Sequence, residues 1–158
     1  MSIFFRIACL FSLIALSSCG WFSGRIINTL EPVNAPDGWG ADDVKIFEME
    51  VEDTLTKYNI GVNLHHNNKH QTFAVSMKLM VVSPNRVIQE LPLNLSLLDS
   101  AGKYQGESGT DFYELSYLVA ERLRLTEMGI YTLELVANTN HEGVQKIGVW
   151  VEKAPLKK

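Results

Sequence analysis

Several side chains in this chain of 158 residues have types and spacings that could do chemistry. Cys19 closes an apolar run at Leu16, Ser17, Ser18, and a thiolate is the side-chain nucleophile most readily alkylated near neutral pH. His65, His66 and His70 crowd together in HHNNKH, the residue type and density of a zinc site. In a strand, however, His65 and His66 point to opposite faces, so at most one joins His70 across a hairpin. Two ligands fall short of the three or four that zinc takes, and the stretch is expected to be a polar hairpin turn with no metal. Ser108 stands between glycines in GESG but lacks the GxSxG spacing and strand-to-helix setting of a nucleophile elbow. His141, its nearest conceivable base, belongs to a turn far along the chain, so no catalytic residue is expected. Glu48, Glu50 and Glu52 share one strand face, where charge keeps an edge solvated and discourages strand addition; no loop of alternating acids accompanies them to hold calcium. Trp150, on the outer face of a terminal strand, reads either as a partner contact, the role tryptophan favours at binding hot spots, or as packing beneath a loop.

The elements that position these residues begin with a leader. Arg6 makes a positive start, and Ile7 to Leu16 form an apolar segment of about ten residues, half of what a membrane-spanning helix needs. Residues 1–18 therefore read as a signal peptide, with Cys9 as packing inside its apolar segment. Its end, LSSC, resembles the lipobox of bacterial lipoproteins, in which the thiol receives a diacylglycerol. Two or more acyl chains, at about 0.8 kcal/mol per buried methylene, make such anchoring stable. Gly20 stands where an inner-membrane retention aspartate would stand in enteric bacteria, which favours the outer membrane and leaves the face open. The chain has two cysteines, Cys9 and Cys19, so the mature domain has no internal disulfide and no thiol nucleophile.

Removing Arg6, the one charged residue of the leader, takes the formal net charge from −4 to −5. That balance disfavours a phosphate backbone as partner, so nucleic acid is not expected. The remaining length suits a single domain with one core. Residues 19–43, rich in glycine, proline and asparagine, read as a flexible lipid-anchored tether; Trp21 and Phe22 stand either at the membrane interface beside the lipid or as unplaced aromatics.

From Val44 the hydrophobic period is two, the mark of half-buried strands. Phe47, Met49 and Val51 form one inward face, Tyr58, Ile60, Val62 and Leu64 a second, and Phe73, Val75, Met77, Leu79 and Val81 a third. After an SPNR turn, Leu91, Leu93, Leu95 and Leu97 line a fourth strand, with Pro92 marking an edge or a bulge. Residues 112–125 carry spacings of both helix and strand, and two short extended segments are expected there. Tyr131, Leu133 and Leu135 start a clear strand, and Ile147, Val149 and Val151 give the last, with Val144 on the opposite face beside Trp150. The expected architecture is all-β, an antiparallel β-sandwich, immunoglobulin-like in outline, over residues 44–153, with a disordered tail at 154–158.

Together, the lipobox, a tryptophan-bearing tether, YNIGVNLHHNN, LPLNLSLLDSAGKYQGESG, EMGIYTLELVAN and the closing GVQKIGVWVEK resemble the gliding motility lipoprotein family GldH of the Bacteroidetes. The resemblance covers nearly the whole mature domain. It implies a non-enzymatic component of the gliding machinery, linked to type IX secretion, whose partners are other envelope proteins and the membrane through its lipid. It implies no cofactor and no catalytic or ligand residues. Asp53-Thr54-Leu55 and Asp99-Ser100-Ala101 also resemble the three-residue O-glycosylation signal of that phylum, with Thr54 and Ser100 as acceptors. The alternative from the residues alone is a surface-anchored sandwich that binds glycan or peptide.

Overall fold

The computed structural model describes residues 24–34, 38–67 and 73–155. Cys9, Cys19, Trp21, Phe22 and His70 lie outside them. The described residues form twelve strands in chain order: β1 Arg25–Asn28, β2 Glu31–Pro32, β3 Gly38–Trp39, β4 Lys45–Val51, β5 Lys57–Asn67, β6 Ala74–Val82, β7 Ile88–Ser96, β8 Glu107–Ser108, β9 Phe112–Arg124, β10 Gly129–Ala137, β11 His141–Glu142 and β12 Val144–Lys153. One sheet has the order β1-β12-β5-β9-β8, with β2 also on β12; the other is β4-β10-β6-β7, and β3 pairs β11. All these pairings are antiparallel. The sandwich expected from the period of two is what the chain forms. β5 and β9 share one sheet and β6 and β10 the other, like the second and fifth and the third and sixth strands of an immunoglobulin domain. The outer positions differ: β4 joins β10 and β12 joins β5, so the first and last long strands exchange sheets relative to antibody domains.

Alternation places the core. In β4, Phe47, Met49 and Val51 point inward and Glu48 and Glu50 outward. Val75, Met77, Leu79 and Val81 of β6, with Tyr131, Leu133 and Leu135 of β10, meet Ile60, Val62 and Leu64 of β5 and Ile147, Val149 and Val151 of β12 in one cluster. Burying each such side chain contributes about 1.5–3 kcal/mol, set against the entropy of ordering the chain. β7 is an edge strand, as Pro92 indicated; Pro92 stands opposite Lys78, where the missing N–H breaks nothing on the open side. Edge position also leaves Leu91 and Leu93 only half-buried, while Leu95 and Leu97 are covered.

Other expectations change. Residues 112–125 are not two short segments: Phe112–Arg124 is one strand with irregular register opposite Tyr58, Ile60 and Gly61. Two bulges insert extra residues there, one at Arg122 with φ 54°, and each flips the face of the residues beyond it, which scrambles the alternation. The hairpin expected at HHNNKH is corrected by the strands on either side of it: β5 pairs β12 and β9, while β6 belongs to the other sheet, so β5 and β6 do not pair. Phe73 precedes β6 and is exposed. A register shift between Val144 and Lys146 turns Val144 into the core.

Strand pairing also begins at Arg25, inside the segment 19–43 read as tether: β1 lies on β12 with Ile27 opposite Val151. Trp39 is fully buried and donates its indole N–H to the Asp43 carbonyl at 2.8 Å. The Asp43 carboxylate meets Lys45 Nζ at 2.8 Å and accepts the Asn34 backbone and side-chain N–H groups at 2.7 and 2.6 Å, so this buried charge has partners on every side. At the other terminus, Ala154 N–H donates to the Lys57 carbonyl at 2.8 Å; residues 156–158 lie outside the described residues.

Candidate functional site

On the outer face of the first sheet, Lys146, Gly148, Trp150 and Glu152 of β12 stand beside His65, Asn63, Gly61 and Asn59 of β5. The two glycines make room. A Cβ on Gly61 would sit 1.9 Å from Trp150 Cε2, and one on Gly148 would sit 2.2 Å from the Thr29 carbonyl oxygen. The indole therefore lies over Gly61, and the N-terminal arm crosses β12 at Gly148. The Arg25 guanidinium stacks 4.5 Å from the indole centroid, a cation–π contact, and donates to Asn28 Oδ1 at 3.0 Å. Asn63 Nδ2 donates to Asn28 Oδ1 and the Thr29 carbonyl, each at 3.0 Å, and Asn63 Oδ1 accepts from Ser116 Oγ at 3.0 Å.

Trp150 is thus on the outer face and only 6% exposed, packed beneath the arm, with an indole N–H that finds no hydrogen-bond partner among the described residues. Beside it runs a groove of about 630 Å³ whose lining includes Arg25, Asn28, Asn63, Glu107, Glu114 and Ser116. Its guanidinium, amides, hydroxyl and carboxylates can donate to and accept from a polar ligand. Ser108 is exposed in β8 and pairs with Tyr113, whereas His141 Nε2 is 2.7 Å from the Ser76 carbonyl in the second sheet; the structure does not bring the two together.

His65 and His66 do face opposite sides. His65 packs on Phe112 with ring centroids 4.0 Å apart, on the outer face beside Lys146 and Glu114. His66 lies between Tyr104 and Tyr113, at 5.1 and 5.5 Å, and its Nδ1 is 2.9 Å from the Asn67 carbonyl. Burial pushes both imidazoles below the usual histidine value; for His65 the Lys146 charge adds to the effect and Glu114 opposes it, while for His66 the Asn67 carbonyl opposes it. No three His, Cys, Asp or Glu side chains among the described residues are grouped to hold a metal.

The two short Asp-Ser/Thr signals lie at opposite ends of the sandwich. Asp53 accepts the Leu55 and Thr56 N–H groups at 2.8 and 2.7 Å and the Thr56 hydroxyl at 2.8 Å, bonds that hold its carboxyl below the usual range; Thr54 between them is half-buried. Ser100 is exposed in the turn after β7, where Asp99 accepts the Ala101 and Lys103 N–H groups at 2.8 and 2.9 Å. Sequence reasoning missed the arm of residues 25–43 with Trp39 and Asp43, whose signal was a lone tryptophan in a stretch rich in turn residues.

No curated protein matches the chain. A family model described as GldH lipoprotein matches residues 26–151. The match starts in β1 and ends in β12, strands that pair with each other, so it takes in the arm and both sheets. With most of its length so matched, the chain belongs to the GldH lipoprotein family.

Proposed function

We propose that this protein is an envelope lipoprotein, anchored through Cys19 in the outer membrane, that serves as a non-enzymatic interaction component of the gliding motility machinery and its linked type IX secretion. The observation that carries this reading is the family match over residues 26–151, which spans the entire sandwich and begins shortly after the LSSC leader end. Deletion of the gene is expected to abolish colony spreading and reduce secretion of type IX cargo; a deletion strain normal in both defeats the reading. In the same strain, Cys19→Ala is expected to release a folded protein from the membrane fraction. A second reading, recognition of a glycan or peptide, is favoured by the polar groove beside Trp150, and binding by the purified protein in a glycan or peptide array, lost on Asn63→Leu, supports it.

A further inference from the structure

The strand directions gather one set of loops at the end of the sandwich where the chain arrives from Cys19. Arg25 of β1 stands opposite Glu152 near the end of β12, Lys153 opposite Tyr58 at the start of β5, and Lys57 opposite Arg124 at the end of β9. In the second sheet, Gly129 stands opposite Val51 and Thr132 opposite Val82. The β4–β5 turn, the β6–β7 hairpin and the β9–β10 turn therefore share this end with the start of β1.

This end is unusually apolar at its tips. Leu55 is 83% exposed, Met128 67% and Val87 62%, one from each of the three loops, and Ile26, Ile88 and Ile130 are exposed on its flanks. The tips are held firmly. Asp53 fixes the turn that presents Leu55. The hairpin closes by Arg86 N–H to the Ser83 carbonyl at 2.8 Å and Ser83 N–H to the Val87 carbonyl at 2.9 Å. Glu127 accepts the Asn85 N–H at 3.1 Å and donates its own N–H to Tyr131 Oη at 3.0 Å, which joins the hairpin to the β9–β10 turn. Rigid loops that hold apolar side chains away from their own core mark a contact surface. Two of the acids at this end, Asp53 and Glu127, are occupied in fixing these turns; Glu52 is exposed on the β4 side. Among the described residues, the charged groups on the walls of the recess beside Leu55, of about 480 Å³, are the cations Lys57, Arg122 and Lys153. The opposite end presents exposed Asp42, Asp99 and Asp111 in its turns.

The chain length fixes what this end meets. From Cys19 to Gly24 is five residues, at most about 18 Å even when fully extended, so a lipid on Cys19 keeps these loops within reach of the headgroups. We infer that the sandwich docks directly on the bilayer surface by this end. Leu55, Val87 and Met128 enter the interface, and Lys57, Arg122 and Lys153 meet lipid phosphates, as amphipathic surfaces do at membranes. This rests on the proposed anchoring at Cys19. The lipidated full-length protein, carrying Leu55→Cys, Met128→Cys or Ser100→Cys, is labelled at the introduced thiol with an environment-sensitive fluorophore. It is then reconstituted into vesicles of phosphatidylethanolamine with or without phosphatidylglycerol, and nitroxide-labelled lipid is added. Labels at 55 and 128 should shift to the blue and be quenched by the nitroxide lipid, while the label at 100 stays in water; a stronger effect with phosphatidylglycerol identifies phosphate recognition by the cationic recess. Protein that floats with the vesicles but shows equal, weak quenching at all three positions overturns the docking and leaves the anchor intact. A blue shift at 55 without nitroxide quenching marks burial against a second copy and also overturns it. Protein that fails to float defeats the anchor, and the docking with it.

Discussion

At the scale of single residues, the two adjacent histidines show how burial converts a polar motif into a stability term. His66, among Tyr104 and Tyr113, and His65, against Phe112 with Lys146 and Glu114 beside it, are both held below the ordinary histidine value in the folded chain. The unfolded chain takes up protons at these positions near pH 6.5, before the folded chain does. Their contribution to stability is thus fully present above about pH 6.5 and is lost as pH falls below it toward the depressed folded values. The urea midpoint is therefore expected to fall between about pH 6.5 and 5, and His66→Phe, which keeps an aromatic ring among the tyrosines, should flatten part of that fall. An unchanged pH profile in His66→Phe would sink the assignment. The opposite facing of His65 and His66 was legible from the strand period alone. Their neutralising surroundings were not, since Tyr104, Tyr113 and Phe112 come from segments tens of residues away.

At the scale of elements, legibility followed regularity. β4, β6, β10 and most of β12 alternate without interruption and were readable from their side chains. β9 was not, because its two bulges reverse the parity of the faces near Val119 and Arg122. β1, β2 and β3 were invisible for another reason: strands of two to four residues are too short to display a period, and what holds them is the surface they cross. Pairing partners were equally hidden, so HHNNKH read as a hairpin although its flanking strands belong to different sheets. The edge strand β4 carries Glu48 and Glu50 on its outward face beside exposed Ile46, across from Ile130 and Thr132 of β10. These charges keep its open side from pairing with another chain. Replacing both, Glu48→Val with Glu50→Val, is expected to leave the fold intact and to promote self-association on concentration, read by light scattering; a double variant that stays monomeric at high concentration shows that the edge is protected some other way.

At the scale of the whole molecule, family membership and fold agree on one unit from β1 to β12, and the candidate site is assembled only when that unit closes. The groove beside Trp150 draws on β1, β5, β8 and β9, so its polar lining could not be read from any local stretch. The pairing of β1 with β12 also has a mechanical meaning. β1 starts at one end of the sandwich, while the exposed turns that carry Asp42, Asp99 and Asp111 lie at the other. A pull between those ends drives β1 lengthwise along β12, so the Thr29 N–H bond to the Val149 carbonyl at 2.9 Å, the return bond from Val149 N–H to Thr29 Oγ1 at 3.1 Å and the neighbouring ladder bonds must yield together instead of one by one. Single-molecule stretching between the N-terminus and residue 100 is expected to require more force than stretching between the N- and C-termini, because the start of β1 and the end of β12 lie at the same end and the second pull peels the two strands apart; equal forces would refute it. Under the role proposed above, in which the sandwich is tied to a membrane through Cys19, the four residues of β1 become the part that sets how much load the connection bears.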